Sequence, residues 1–307
     1  MTVAAIDCGS GATRLLVIDG TGAEVHREER VTNLCLGMGP DDTLTADAIA
    51  RTIDTLRAYR LRCDEFGVTR LRAVTTAAAR RARNPADFLD AAAVVLGTRP
   101  DILTGEEEGR LAFSGAMTDL VPQVDAWGEP AFDLLLDIGG GSTEIVVGRP
   151  GEAPIASHSI ETGCVRLLEE YLGESDPPGP LALSQAISVM HAHLEDVEIT
   201  VPHVKRATRL VGIAGSIQVM AMVEIGATAP VHHFRLTRPA AEDVYRTLVT
   251  ETRADRLHNP GLPADRVDSI VAGAVILVTV LRHFDMTDVL VSQHDLLDGV
   301  AQQLLIM

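Results

Sequence analysis

Two glycine-rich segments of the sequence contain the residue types that phosphate chemistry needs. The first runs Asp7-Cys-Gly-Ser-Gly-Ala-Thr13, and the second runs Asp137-Ile-Gly-Gly-Gly-Ser-Thr143, which is 130 residues later without a gap. Glycine lets a backbone approach an anion closely, and successive N–H groups form a concavity that binds anions. An aspartate before such a turn can hold a divalent cation that bridges to phosphate oxygens. The repeated segment therefore predicts a site that clamps one polyanionic ligand.

A run of three glutamates, Glu106 to Glu108, follows the pair Thr104-Gly105. Acidic residues in the first turn of a helix are typical of compensation for the helix dipole. Alternatively, one of these carboxylates faces the ligand and acts as a general base toward water. The residue pattern alone leaves both interpretations open.

An arginine-rich band extends from Arg51 to Arg83. It holds nine arginines against three acidic residues, a local charge of +6 in a chain whose net charge is −17. The plain interpretation is a solvated helix face. The alternative is a local funnel for an anionic substrate, because a guanidinium binds phosphate through two parallel hydrogen bonds.

The elements that position these residues alternate between strands and helices, which indicates an α/β protein. Each glycine-rich segment is expected to join two strands of a hairpin. We predict strands at 71–75, 101–104, 157–161, 209–213 and 288–292, and helices at 46–59, 85–95, 106–115, 164–171, 184–195, 238–252, 270–281 and from about 297. Asn84 is the expected N-cap of the helix that starts with Pro85. Two related domains, 1–125 and 126–307, follow from the repeat, with the last helix free to pack back on the first domain.

Composition excludes several function classes. The single lysine, Lys205, does not follow a glycine, so a Walker-A phosphate loop is absent. The strong negative charge argues against a general DNA binder, and the longest apolar run is too short to span a membrane. Four cysteines without Cys-x-x-Cys spacing, and a start without a basic leader, favour a cytoplasmic protein. The pairs His191/His193 and His232/His233 have no partner at zinc-site spacing and are interpreted as surface or packing residues.

Taken together, the motifs resemble the exopolyphosphatase / guanosine pentaphosphate phosphatase (Ppx/GppA) family in its short two-domain form, over nearly the whole chain. The segments that carry the resemblance are 5–15, Leu36-Gly37, 76–84, 105–111, 137–144, 163–167, 211–216 and 291–299.

The resemblance implies an actin-like fold of the sugar-kinase/Hsp70/actin superfamily, duplicated around an interdomain cleft. It implies release of terminal phosphate from inorganic polyphosphate or from guanosine pentaphosphate, a nucleotide of the stringent response, with Mg²⁺ or Mn²⁺. The partners are then a polyphosphate or guanosine polyphosphate ligand, without DNA or membrane, and a homodimer stays open. In the implied site, Glu108 activates water, with Asp137 and Arg80 as further catalytic residues. The cation is held by Asp7, Asp137 and Glu144. The residues implied to bind substrate are Gly9, Ser10, Gly11, Arg14, Gly139, Gly140, Gly141, Ser142 and Thr143.

The sequence departs from the family pattern at several polar positions. Gly11 and Ala12 replace an Asn-Ser pair, Cys35 replaces an arginine, and Leu168 replaces a threonine. A catalytically weakened polyphosphate or guanosine polyphosphate sensor is therefore one alternative to the hydrolase. Another is a different phosphotransferase of the superfamily, for which the glycines in 212–216 would line an adenosine pocket.

Overall fold

A computed structural model of the chain describes residues 1–125 and 127–306. The chain forms two compact units, of which the first contains Met1–Gly115 together with the residues from Asp295 onward, and the second contains Ala116–His294. The predicted boundary between positions 125 and 126 falls at Ala126, which lies outside the described residues, as does Met307.

Strands and helices alternate along the chain, as predicted. The strands are β1 (Val3–Cys8), β2 (Ala12–Ile18), β3 (Glu24–Val31), β4 (Arg70–Thr75), β5 (Asp101–Ile102), β6 (Phe132–Ile138), β7 (Thr143–Gly148), β8 (Ala156–Ile160), β9 (Ala207–Ile213), β10 (Arg235–Thr237) and β11 (Asp288–Val291). The α-helices are α1 (Ala46–Glu65), α2 (Ala77–Arg81), α3 (Pro85–Leu96), α4 (Gly105–Ala116), α5 (Cys164–Leu167), α6 (Pro180–Thr200), α7 (Ala214–Ile225), α8 (Arg238–Thr250), α9 (Arg253–Arg256), α10 (Ile270–His283) and α11 (Leu296–Ile306). A π-helical turn covers Leu168–Leu172, and 3₁₀ turns cover Val204–Arg206 and Ala264–Arg266.

The first unit is built on a sheet of strand order β3-β2-β1-β4-β5. The β1–β2–β3 part is antiparallel, whereas β1, β4 and β5 run parallel. Every residue of β1 is buried, as expected for a central strand covered on both faces. Helix α11, the last element of the chain, packs on β1, β2 and β4 of this unit.

The second unit repeats that topology. Its sheet has the order β10-β11-β9-β6-β7-β8, so β6, β7, β8, β9 and β11 take the places of β1 to β5, and β10 is an added edge strand. The duplicated α/β, actin-like architecture is therefore confirmed in the strand pairing. The core helix α10 is buried at every position from Ile270 to Leu281, which confirms the interpretation of that apolar run. Among the described residues, no helix combines the length and the apolar character needed to cross a membrane.

Several helices are longer than their sequence pattern indicated. Helix α1 continues to Glu65, and its N-cap is Thr45, whose hydroxyl accepts a hydrogen bond from the Ala48 N–H. Helix α6 covers Pro180–Thr200, whereas the sequence pattern predicted a helix only at 184–195. Asn84 does precede α3, but it makes no side-chain cap bond. Its amide instead bonds the backbone of Leu44, so it joins two segments of the first unit.

Candidate active site

The first glycine-rich segment forms the turn between β1 and β2. A Cβ atom on Gly9 would lie 2.8 Å from the Ala12 carbonyl oxygen, so the turn accepts only glycine there. The Ser10 hydroxyl accepts a 2.9 Å hydrogen bond from the Ala78 N–H at the start of α2. The turn is thereby fixed to the segment that follows β4. Gly11 does not adopt a positive φ.

Both glycine-rich turns are held by equivalent hydrogen bonds. The Cys35 N–H donates to Ser10 O at 3.1 Å, and 130 positions later the Val165 N–H donates to Gly140 O at 3.0 Å. The duplication thus extends from the strand order to single contacts. A carbonyl in a trans peptide points away from the next residue's N–H. Because the Ser10 and Gly140 carbonyls face Cys35 and Val165, the N–H groups of Gly11 and Gly141 point away from those residues.

The second turn, between β6 and β7, is packed against the start of α5. A Cβ atom on Gly163 would lie 2.4 Å from Gly139 O and 2.6 Å from Gly140 C. The Cys164 N–H donates to Gly139 O at 2.9 Å across this contact. Gly163 therefore sets how closely α5 approaches the turn and so determines the orientation of its peptide groups.

Two acids flank the second turn. Asp137 and Glu144 are register partners on the antiparallel strands β6 and β7, so their side chains leave the same face of the sheet. Both are buried, with Asp137 7% and Glu144 1% exposed. The Ser159 hydroxyl donates to Glu144 Oε1 at 2.8 Å. The pair offers the hard oxygen ligands that Mg²⁺ and Mn²⁺ prefer.

The three glutamates of α4 separate by burial. Glu106 and Glu107 are exposed, whereas Glu108 is 5% exposed. Glu107 Oε2 accepts hydrogen bonds from both the N–H and the hydroxyl of Thr104, and the Glu107 N–H donates to that hydroxyl. These bonds form a capping box and lower the pKa of Glu107. Glu107 thus has a structural role, and Glu108 is the carboxylate directed into the unit.

Glu108 is paired with Arg80. The guanidinium Nη1 donates to Glu108 Oε2 at 3.0 Å and to the Leu103 carbonyl at 3.1 Å. The arginine comes from α2 after β4, and the glutamate from α4 after β5. Because β1, β4 and β5 are parallel, the Gly9–Gly11 turn and this ion pair follow the carboxyl ends of neighbouring strands. Ligands of open α/β sheets bind at such ends.

Arg14, predicted to bind substrate, is surrounded by carboxylates. Its Nε donates to Glu29 at 2.8 Å, and its Nη1 lies 3.2 Å from Asp295 Oδ2 and 3.9 Å from Asp7 Oδ2. Burial raises the pKa of Asp295. Arg27 lies on the other side of Asp295, at 3.8 Å. The charge of Arg14 is therefore balanced within the first unit.

Most arginines of the band between Arg51 and Arg83 also have carboxylate partners. Ion pairs join Arg57 to Asp54, Arg60 to Asp64, Arg62 to Glu65, Arg72 to Asp101, Arg80 to Glu108 and Arg81 to Asp42. These local pairs favour the solvated-face interpretation over an anion funnel.

Packing explains the glycines of the segment 212–216, and burial explains the chemistry of two cysteines. A Cβ on Gly212 would meet Val289 and Ile217 side chains, and one on Gly215 would meet the Arg266 guanidinium, so packing explains both glycines without an adenosine pocket. Burial raises the pKa of the Cys8 and Cys164 thiols, which keeps them protonated and poorly nucleophilic. 

One polar cluster gives His232 and His233, interpreted from the sequence as surface or packing residues, partners that the sequence did not indicate. His232 and His233 lie beside Asp119, and His294 completes the group. No sequence spacing could have indicated it, because its members come from three distant segments.

The duplicated sheets, each with a glycine-rich turn at the end of its central strand, define a duplicated α/β fold of the actin-like class. The model of the Ppx/GppA phosphatase family matches residues 16–306. The chain belongs to the Ppx/GppA phosphatase family, and the predicted class of enzyme, a phosphoanhydride hydrolase, is confirmed with it.

Two curated relatives illustrate the range of that family. The chain is 34% identical to exopolyphosphatase 2 of Mycobacterium tuberculosis (strain CDC 1551 / Oshkosh), with 98% of each protein covered. It is 28% identical to the guanosine-5'-triphosphate,3'-diphosphate pyrophosphatase of Aeromonas salmonicida, covering 98% of this chain and 59% of that relative.

Solved structures share the fold. The Ppx/GppA family member of Aquifex aeolicus has a TM-score of 0.79 at 28% identity, covering 100% of this chain and 98% of that one. An exopolyphosphatase of Cytophaga hutchinsonii has a TM-score of 0.90 at 24% identity, with coverage of 100% and 98%.

Proposed function

We propose that the protein hydrolyses the terminal phosphoanhydride of inorganic polyphosphate, with guanosine pentaphosphate as the second candidate substrate. The observation that carries this proposal is the ion pair between the half-buried Arg80 and the buried Glu108, which follow the parallel strands β4 and β5. The names of the two curated relatives supply the substrate classes.

In this proposal Glu108 accepts a proton from the attacking water. General bases of this kind contribute about 10²–10⁴-fold to rate. Arg80 holds the carboxylate and places positive charge beside it. Phosphoryl transfer needs mainly positioning and charge stabilisation, which backbone N–H groups of a glycine-rich turn can supply. Gly9, Ser10 and Gly11 thus bind substrate in the first unit.

In the second unit, substrate binding is assigned to the turn and its flanking hydroxyls. These residues are Gly139, Gly140, Gly141, Ser142 and Thr143. The Thr143 hydroxyl donates to the Thr162 carbonyl at 2.8 Å, so its role is to hold the turn as well as to offer an oxygen.

The acids fit a hard divalent cation. Asp137 and Glu144 would hold Mg²⁺ or Mn²⁺ in the second unit, and Asp7 is the corresponding acid of the first. A magnesium ion commonly binds through one or two carboxylates together with substrate phosphates and water. When bound, the cation neutralises charge on the phosphate oxygens.

A binding sensor is the second candidate, and the first turn favours it. Gly11 and Ala12 offer no polar side chain, the Ser10 hydroxyl already accepts a bond from Ala78, and Arg14 contacts three acids. Hydrogen bonds to a charged group contribute about 1.5–3 kcal/mol each. Losing two of them would slow turnover about 100-fold or more.

The test is phosphate release from long polyphosphate, short polyphosphate and guanosine pentaphosphate, each with Mg²⁺. The variant Glu108→Gln should lose at least about 10²-fold in rate while its ligand-induced melting shift persists. Glu106→Gln, the same change at an exposed position of the same helix, is the matched control and should keep the wild-type rate. Equal rates for both variants would remove Glu108 from the mechanism, and ligand binding without phosphate release from the wild type would select the sensor.

A further inference from the structure

Three imidazole rings of the second unit converge on one carboxylate oxygen. Asp119 Oδ2 lies 2.7 Å from His232 Nε2, 3.2 Å from His233 Nε2 and 3.8 Å from His294 Nε2. The ligand atoms of Asp119, His232 and His294 all lie within 4.8 Å of one another. We call these four residues the histidine cluster.

The backbone holds the histidine cluster in place. The His233 N–H donates to Val291 O at 2.7 Å, and the Val291 N–H donates to Phe234 O at 2.9 Å. These bonds attach the segment before β10 to the end of β11. The Gln293 N–H then donates to His232 Nδ1 at 3.0 Å. The backbone at His233 and the ring of His232 are therefore fixed by hydrogen bonds to the segment at the end of β11.

The donor set is that of a transition-metal site. Imidazole nitrogens suit zinc, copper, nickel and iron, whereas Mg²⁺ takes oxygen ligands. Zinc binds imidazole nitrogen at about 2.0–2.1 Å in tetrahedral geometry, which places neighbouring ligand atoms about 3.3 Å apart. The separations of 2.7–3.8 Å around Asp119 Oδ2 bracket that value.

We propose that the histidine cluster binds one zinc-class divalent ion through Asp119, His232 and His294, with His233 beside them. This site is separate in residues and in ligand chemistry from the all-oxygen set of Asp137 and Glu144. It does not depend on the proposed hydrolase function.

Binding of an ion at His232 would break hydrogen bonds that the ring makes in the structure. Because the Gln293 N–H donates to Nδ1, the neutral ring carries its proton on Nε2 and donates it to Asp119. An ion at Nε2 takes the place of that proton, which moves to Nδ1, so the ring loses both its bond to Asp119 and the bond from Gln293. The affinity therefore falls below that of a preformed zinc site by roughly the value of two hydrogen bonds.

The ion would join segments that are far apart in the sequence. Asp119 follows α4, and His294 precedes α11, so the two lie where the chain enters and leaves the second unit. The ion would tie both connecting segments to the turn before β10. Bound metal stabilises the folded state by mass action, so zinc should raise the melting temperature.

The experiment measures uptake of Zn²⁺ by chelator-treated full-length protein, with excess Mg²⁺ present to occupy the oxygen site. We expect one equivalent of Zn²⁺ to bind the wild type and none to bind the Asp119→Asn/His294→Ala double variant. The control is His191→Ala, because the His191 ring lies outside the histidine cluster and contacts His283. This control should still bind one equivalent. Co²⁺ is the spectroscopic probe, with visible absorption of a tetrahedral nitrogen and oxygen site in the wild type only.

Circular dichroism checks that each variant folds, and the single variant Asp119→Asn replaces the double one if folding fails. Its zinc-induced rise in melting temperature should be lost. Zinc uptake that is equal in the wild type and in either cluster variant would overturn the proposal. So would an equal loss in His191→Ala, which would show surface-histidine binding only.

Discussion

Gly163→Ala tests whether the close contact between α5 and the second glycine-rich turn is needed for phosphate binding. The backbone at Gly163 has φ −120° and ψ −174°, which alanine adopts without strain. Any effect must therefore come from the new methyl group. That group would lie 2.4 Å from Gly139 O and 2.7 Å from Gly140 O, so backbone must move.

The size of the effect follows from that movement. Overpacking costs about 1–3 kcal/mol, and it acts on the bonds from Cys164 to Gly139 O and from Val165 to Gly140 O. A displacement of about 1 Å near a reacting group costs about 10²-fold in rate. We therefore expect kcat/KM for polyphosphate to fall about 100-fold, with a loss of about 1–3 kcal/mol in unfolding free energy.

The assay is phosphate release at substrate concentrations below KM, together with urea denaturation followed by circular dichroism. Gly179→Ala is the matched control, because Gly179 has φ −70° and its added Cβ would lie 4.0 Å from the nearest atom. It should leave both quantities close to wild type. If Gly163→Ala keeps the wild-type kcat/KM, the orientation of the second turn does not control phosphate binding, and the reasoning fails.

Three further outcomes are expected. Glu107→Ala removes the bonds that cap α4 and should cost about 0.5–2 kcal/mol of stability, with turnover within about twofold of wild type because the proposed base is Glu108; a large fall in turnover would contradict this division. Asp137→Asn should abolish the dependence of phosphate release on Mg²⁺ together with the activity, whereas full wild-type turnover in excess chelator would refute a metal mechanism. Gly11→Asn with Ala12→Ser should raise polyphosphate turnover if the protein is a weakened hydrolase, since two donors return beside the phosphate; absent turnover with weakened nucleotide binding would favour the sensor.

The duplication could be predicted because its signal is local. Asp7 and Asp137, with the glycines that follow, lie in register at a constant offset, and apolar runs flank both. A buried strand followed by a glycine-rich turn is encoded within a few residues. The strand pairing confirms both hairpins and extends the repeat to the whole sheet.

Two of the longer elements, β3 and α7, gave no usable pattern. Strand β3 has five charged residues among eight, Glu24, Arg27, Glu28, Glu29 and Arg30, without alternation between faces, because it forms the edge of its sheet. Helix α7 has apolar residues on nearly all sides, so no helical period stands out. Both elements are specified by their neighbours in the sheet and in the packed helix layer.

The candidate site also contains features that the sequence could predict and features that it could not. The family resemblance singled out Glu108, but the residue pattern alone could not separate it from Glu106 and Glu107. That separation depends on Thr104 capping Glu107 while Glu108 is buried beside Arg80. Residue type supplies the possible chemistry, and burial distinguishes the candidates.

The two charged clusters extend this argument to residues far apart in the chain. Arg14 has the charge that phosphate attracts, yet Asp295, from the last part of the chain, lies 3.2 Å from it. Asp119 and His232 lie in segments with no shared motif, yet they are 2.7 Å apart. In both cases a long-range partner changes what the side chain can bind: it balances a cation in one unit and assembles a metal-ligand set in the other. Substitutions at Asp295 or Asp119 therefore probe chemistry that no local pattern encodes.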